Sequence, residues 1–248
     1  MQTSPLRYPG GKSRAVKIIT AYFPKGLQKM SSHFVGGGSI ELYTAQQGIE
    51  VNAYDNFNLL INFWNQLKYN KQQLHSSIVK YLPIVTKDHF NELQQSISQE
   101  VNELKLATMF YVLNRCSFSG STLSGGMSPN HPRFNKNNVD KLLNISLENI
   151  DFECMDFIQS IVKHKSNFKY LDPPYYIKNN LYGVKGDTHK RFDHLGLSNV
   201  LKGVNNWVMS YNDCEYIRNL YGGCKFIELD WKYGMSKNKK SNEIIIIN

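Results

Sequence analysis

No stretch of this sequence is long and apolar enough to span a bilayer. The run Ile244–Ile247 covers four residues, against the roughly 20 that a membrane helix needs. Met1–Arg14 carries charges with no apolar segment behind them, so no secretory leader is expected and the protein is expected in the cytoplasm, with no membrane partner. Cysteine is scarce. Cys116, Cys154, Cys214 and Cys224 form no C-x-x-C pair and have no histidines at zinc spacing, which argues against a zinc site and leaves them as reduced structural thiols. No metal is expected. Charge is not scarce enough, nor apolar content low enough, to suggest long disorder: 41% of residues are hydrophobic and 12% aromatic. Acidic residues are in deficit, 20 against 29 basic ones, for a net charge of +9. Such a balance suits a polyanion, because each neutralised phosphate releases condensed counterions.

The 248 residues fit one large α/β domain, or a catalytic domain carrying an insert. Both ends of the chain alternate short apolar runs with helical spacing, the pattern of a parallel sheet with crossover helices. Ser32–Val35 reads as a strand, Gly36–Gly38 as a turn and Ile40–Gln47 as a helix. Val51–Tyr54 is a second strand, followed by helical spacing through Leu59, Leu60, Phe63, Trp64 and Leu67. Phe168–Leu171, Trp207–Tyr211, Phe226–Leu229 and Ile244–Ile247 are further strand candidates. Residues 1–68 and 150–248 thus form the expected catalytic domain, and 69–149 a mostly helical insert. The centre of that insert, Cys116–Asn138, is rich in Ser, Gly, Asn and Pro and is expected to be a loop. Loops of that length inside compact proteins are usually functional.

Three motifs carry chemistry. Asp172-Pro173-Pro174-Tyr175-Tyr176 directly follows a strand, where ligands of open α/β sheets bind. An exocyclic ring amine is a poor nucleophile because its lone pair is delocalised. The Asp172 carboxylate and the Pro173 carbonyl could accept both of its N–H bonds, with the two prolines fixing the backbone and Tyr175 offering a stacking face. The second motif, Phe34-Val35-Gly36-Gly37-Gly38-Ser39, places glycines between a strand and a helix, where a ligand can approach the backbone closely. Asp55 ends the next strand, 17 residues after Gly38, and a carboxylate there either accepts ribose hydroxyls or caps the following helix. The third, Arg7-Tyr8-Pro9-Gly10-Gly11-Lys12, puts a lysine at the start of a helix, where it either holds a ligand carboxylate or belongs to a flexible basic arm.

In order along the chain, RYPGGK, FVGGGS, YDN, LNR…G, MDF, LDPPYY and NEIIIIN resemble the DNA adenine methylase family of N6-adenine methyltransferases. The resemblance covers nearly the whole sequence, and DPPY is its most specific part. It implies a Rossmann-like S-adenosylmethionine-dependent methyltransferase sheet with an inserted target-recognition domain, acting on a flipped-out adenine in double-stranded DNA. It implies further that Tyr8, Lys12, Phe34, Gly36, Gly38, Asp55, Asp156, Phe157 and Asp172 bind S-adenosylmethionine, and that Asp172, Pro173, Pro174 and Tyr175 form the catalytic claw. Asn114 and Arg115 match the start of the family's DNA-contacting hairpin, and Arg7, Arg133 and Lys136 join them as expected DNA contacts. Ser119–Ser128 is Ser/Gly-rich where readers of GATC carry aromatic and arginine residues, so the resemblance does not carry that specificity over. A polar loop, Lys178–Phe192, with Tyr182, His189 and Arg191, either closes over the flipped base or is solvated. A monomer is expected. The alternatives are an N6-adenine enzyme acting on RNA and a catalytically decayed DNA-binding homologue.

Overall fold

The computed structural model describes residues 2–128, 131–176, 192–229 and 243–248. The loop Lys178–Phe192 lies outside them except for Phe192. Seven strands form one sheet: β1 (Lys29–Ser32), β2 (Glu50–Asp55), β3 (Ile150–Cys154), β4 (Phe168–Leu171), β5 (Trp207–Asn212), β6 (Lys225–Glu228) and β7 (Glu243–Ile247), in the order β3-β2-β1-β4-β5-β7-β6. Strands β1 to β5 pair in parallel, and β7 runs antiparallel between β5 and β6. The sheet is therefore mixed where alternation alone predicts parallel strands. β7 turns back beside β6 and inserts next to β5.

The chain runs outward from β1 through β2 to β3, then returns to place β4 on the other side of β1. The strand order reverses between β1 and β4, and ligands of open α/β sheets bind at such a switch point, beyond the carboxyl ends. The glycine motif follows β1 and the DPPY motif follows β4. The first strand lies three residues earlier than the apolar pattern predicts, sharing only Ser32 with the expected Ser32–Val35. Its hydrogen bonding nevertheless continues, with His33 N donating to the Tyr170 carbonyl at 3.3 Å and Val35 N to the Tyr54 carbonyl at 2.8 Å. β3 escapes the sequence pattern because it is an edge strand whose only buried positions are Ile150 and Phe152.

Side chains alternate across strands, and the core divides accordingly. Tyr170, Val208 and Ile245 face one apolar cluster; Leu171, Met209, Ile244 and Ile246 face the other. The first cluster is covered by α1 (Val16–Thr20), α2 (Ser39–Gln46) and α3 (Asn58–Tyr69), and extends without a break into α4 (Lys71–Val79), α5 (Lys87–Ser96) and α6 (Glu103–Cys116). The helices of the expected insert thus share the core of the sheet. Phe63 of α3 stacks on Tyr111 of α6 at 5.6 Å and 12°, a pair worth about 1 kcal/mol beyond its area. From Ala107 to Cys116 every residue of α6 is buried, so this helix is wrapped on all sides. Among its described residues, the Cys116–Asn138 loop carries a 3-10 turn at Phe118–Gly120, an isolated bridge between Ser117 and Met127, and the start of a short helix, α7 (Lys136–Asp140), capped by Asn135. The second cluster is covered by α8 (Phe157–Lys163), α9 (His194–Leu201) and α10 (Glu215–Leu220). No helix among the described residues is long and apolar enough to cross a membrane.

Candidate active site

A cavity of about 710 Å³ opens at the switch point. Its walls include Tyr8, Lys12, Phe34, Gly36, Gly38, Asp55, Asp156, Phe157, Asp172, Pro173, Pro174 and Tyr175, so the nine expected cofactor contacts and the four claw residues meet in one place. The volume lies in the usual range of small-molecule sites, roughly 300–1,000 Å³.

The glycine loop is held by packing. Gly36 and Gly38 adopt φ of +45° and +68°, the left-handed region that favours glycine. A Cβ at Gly36 would lie 3.0 Å from the Tyr8 ring, and one at Gly38 would lie 2.8 Å from Trp64. Trp64 also donates from Nε1 to the Gly36 carbonyl at 3.2 Å. Asp55 accepts from Gly36 N and Phe57 N, both at 3.1 Å. It does not cap α3, whose N-cap Phe57 has no side-chain cap; it ties β2 to the glycine loop. Burial pushes its carboxyl up to about 6. Glu41 of α2 lines the same cavity. It accepts from Ser32 Oγ at 2.5 Å, and burial pushes it up to about 7. His33, held between Ser31 Oγ and Ser160 Oγ, is kept neutral by burial, its pKa lowered to about 3.

Asp156 caps α8 by accepting from Ile158 N at 2.8 Å, which brings Phe157 to the cavity wall. Phe34, Phe157 and Phe192 form an aromatic group with centroids 5.2–5.7 Å apart. Phe192 is absent from the sequence motifs; it follows the polar segment after DPPYY, and no local pattern marks it.

The Asp172 carboxylate is fixed from two sides. Lys12 Nζ stands 2.8 Å from each of its oxygens and donates also to the Gly10 carbonyl at 2.7 Å. Ser210 of β5 donates to Oδ1 at 2.9 Å, and its own oxygen is 2.9 Å from the Tyr170 hydroxyl. Lys12 Nζ also lies 4.9 Å over the Tyr175 ring, which stacks on Tyr211 at 5.8 Å. The backbone after the claw is clamped by Asn212, whose carboxamide accepts from Tyr176 N at 2.8 Å and donates to Tyr176 O at 3.0 Å. Ser210 and Asn212 were not marked by sequence reasoning. A Ser-Tyr-Asn run at the end of a strand is legible as a site only once the strand order places it beside DPPY.

The expected DNA contacts separate. Arg133 and Lys136 are exposed and Arg7 is half-buried. Asn114 and Arg115 are buried, and their hydrogen bonds are made inside the protein: Asn114 with Arg7 and Thr122, Arg115 with the carbonyls of Pro5 and Arg133. These two were expected at the DNA surface. They face inward because they lie on α6, which has no solvent side in its last turns. Arg7, Arg115 and Arg133 repel one another, and with burial as the main cause the guanidinium of Arg7 and that of Arg115 are pushed down from their ordinary range. The loop after α6 presents Phe118 with 65% of its surface exposed. Gln94 holds that loop, its Nε2 within 3.1 Å of the carbonyls of Thr122, Leu123 and Gly125.

The profile of one protein family, D12 class N6 adenine-specific DNA methyltransferase, matches residues 8–235. The chain belongs to this family. Among its relatives is the type II methyltransferase M.CviBI of Paramecium bursaria Chlorella virus NC1A, 24% identical over 92% of this chain and 90% of that protein. The DNA adenine methylase of Haemophilus influenzae is 23% identical over 98% of this chain and 92% of its own length. Modification methylase StsI of Streptococcus sanguinis is 28% identical over 99% of this chain, which corresponds to 42% of that longer protein. As an adenine-specific DNA methyltransferase, the chain transfers a methyl group to N6 of adenine in DNA, and methyltransferases in general take that group from S-adenosylmethionine. The RNA and decayed-homologue readings are not favoured by this membership.

The cavity suits such a donor. Among the described residues, and leaving aside the buried carboxyl of Glu41, its lining carries the carboxyl groups of Asp55, Asp156, Asp172 and Asp193 against the ammonium of Lys12. In a protein of net charge +9, an acidic cavity selects a ligand with positive charge of its own, as a sulfonium and an α-ammonium provide. The rings of Phe34, Phe157 and Phe192 could hold its purine, and the Asp55 carboxyl could accept from its ribose hydroxyls.

Proposed function

We propose that the DPPY claw is the catalytic centre of adenine methylation, that the glycine loop with Asp55 and the Phe34–Phe157 group seats the cofactor, and that the loop after α6 faces duplex DNA. The observation that carries this reading is the Asp172 carboxylate, pinned by Ser210 and Lys12 at the tip of β4 beside an acidic and aromatic cavity.

Bound S-adenosylmethionine supplies a methyl group on a positively charged sulfur. The remaining demands fall on the chain's own residues. Tyr175 provides a face on which a flipped adenine stacks, which offsets the few kcal/mol that unstacking costs. Asp172 and the Pro173 carbonyl accept the two N–H bonds of the amine and make its lone pair more available. As positive charge develops on that nitrogen, the Asp172 carboxylate already faces it, and no reorganisation is needed at that moment. Lys12 holds the Asp172 carboxylate oriented, and its ammonium would also pair with the carboxylate of a bound cofactor. Arg7, Arg133 and Lys136, with the exposed Phe118, form the surface offered to the duplex, the arginines toward phosphates and the ring toward bases. One active site modifies one strand per encounter, so a monomer suffices.

The test is to map N6-methyladenine in the genome of cells expressing this chain and cells expressing Asp172→Ala. A methylated sequence present only with the wild type is expected. Equal methylation in both would overturn the assignment.

A further inference from the structure

We propose that Asn114 is a positioning residue that couples the reading of DNA to the filling of the cofactor cavity, acting through a strap at residues 5–12 that both sites share. The inference rests on the assignment above of the loop after α6 to DNA and of the glycine-lined cavity to the cofactor.

Asn114 is wholly buried, and its carboxamide is shared between two distant segments. Oδ1 accepts from Arg7 N at 2.8 Å and Nδ2 donates to Arg7 O at 2.7 Å, the pairing that one strand makes with another. Nδ2 also donates to Thr122 Oγ1 at 3.0 Å, in the loop after α6. Both amide hydrogens are thereby used. Arg115 repeats the pattern, with Nη1 on the Pro5 carbonyl at 3.1 Å and Nε and Nη2 on the Arg133 carbonyl at 3.0 and 2.8 Å. The loop grips the strap in return. Arg7 Nη1 donates to the Ser117 carbonyl at 3.0 Å, and Gly120, at φ +76°, comes so close that a Cβ there would sit 2.2 Å from Arg7 O.

The other end of the strap belongs to the cavity. Tyr8 covers the glycine loop: its ring stands 3.0 Å from the place of a Cβ at Gly36, and its own Cβ stands 3.0 Å from the place of one at Gly37. Lys12 holds Asp172. Arg7, gripped by Asn114, and Tyr8, which walls the cavity, are adjacent residues. A buried and fully satisfied polar network is stiff and has few alternative arrangements, so a displacement of the loop by DNA passes into the strap. Such a link is physical only if it shifts a measurable equilibrium, and the shift must then run both ways: cofactor tightens DNA binding by the factor with which DNA tightens cofactor binding.

The experiment measures the affinity of S-adenosylhomocysteine, which cannot react, by calorimetry with and without a short duplex carrying the mapped methylation site. In the wild type the duplex should tighten binding by about tenfold, within the usual span of such couplings. Thr122→Val keeps the shape but removes the hydroxyl that joins Asn114 to the loop. It should bind S-adenosylhomocysteine alone as the wild type does, while the tightening by the duplex falls to about twofold or less. Thr122→Ser should restore it. Wild-type tightening retained in Thr122→Val, or none in the wild type, would overturn the inference. Phe118→Ala separates the inference from the reading beneath it. If that variant binds the duplex unchanged, the loop does not lie on DNA and the assignment of the DNA face fails. If it binds the duplex weakly while Thr122→Val keeps its tightening, only the coupling fails.

Discussion

Glu41 is the carboxyl that the fold treats least generously, and its replacement by glutamine gives a stability change with a definite pH signature. The side chain is 2% exposed and takes one hydrogen bond from Ser32 Oγ, while Asp172 and Asp55 add like charge. Burial raises it from 4.5 to about 7. Because the folded-state value is raised, the native protein carries the excess proton between those two values. The stability this confers is complete below pH 4.5 and is lost as pH rises through 7. That rise corresponds to about 3 kcal/mol over the whole window, most of it between pH 5 and 8. For a chain of this size 1 kcal/mol moves Tm by about 2–4 °C. Glu41→Gln keeps an acceptor for Ser32 and removes the titration. The Tm of the variant minus that of the wild type, measured by differential scanning calorimetry, should therefore grow by several degrees from pH 5 to pH 8. A difference that stays constant across that range would show that Glu41 is not held protonated by burial, and the electrostatic account of the cavity would be wrong.

Three further outcomes follow from the same geometry. Burial raises Asp55 to about 6, so affinity for S-adenosylmethionine should weaken as pH falls through 6, and Asp55→Asn should bind about tenfold or more weakly with that pH dependence gone; titration calorimetry reads both. Ser210→Ala removes one of the two groups that orient Asp172, and kcat should fall about tenfold, a loss of about 1.4 kcal/mol, with cofactor affinity unchanged and activity recovered in Ser210→Thr. Removing the Thr122 hydroxyl should uncouple the two ligands as set out above.

How much of this was legible in the sequence depends on whether each feature is local. β2, β4, β5 and β7 stand out because each holds a run of buried, mostly apolar residues, and Ile244–Ile247 is the clearest of them; β6 is found at the edge near its expected place, while β1 shares only Ser32 with the expected Ser32–Val35 because Lys29–Ser32 carries a single apolar residue. β3 is half solvated and alternates with Asp151 and Glu153, so nothing marks it without its partner β2. DPPY and the glycine loop are legible because a rigid turn and a close backbone approach demand particular residues at adjacent positions. Ser210 and Asn212 reach the DPPY segment through strand order, and Phe192 reaches the cavity wall from far along the chain, which no single window of sequence contains. Asn114 and Arg115 illustrate the opposite error. Polar residues beside a Gly/Ser-rich loop read as surface contacts, yet here they lie on the buried last turns of α6 and hold the protein to itself. Their burial follows from the packing of α3, α4 and α5 around α6, information that resides in distant residues.

The decisive measurement is single-turnover transfer of labelled methyl from S-adenosylmethionine to duplex DNA by purified protein, with the product digested to nucleosides. Wild-type protein should yield N6-methyladenine. Asp172→Ala should remain folded by its Tm, and its transfer, measured at a saturating concentration of S-adenosylmethionine, should drop by several orders of magnitude. Transfer at the wild-type rate from that variant, or label appearing on a base other than adenine, would contradict the claim that a carboxylate at the tip of β4 activates the adenine amine.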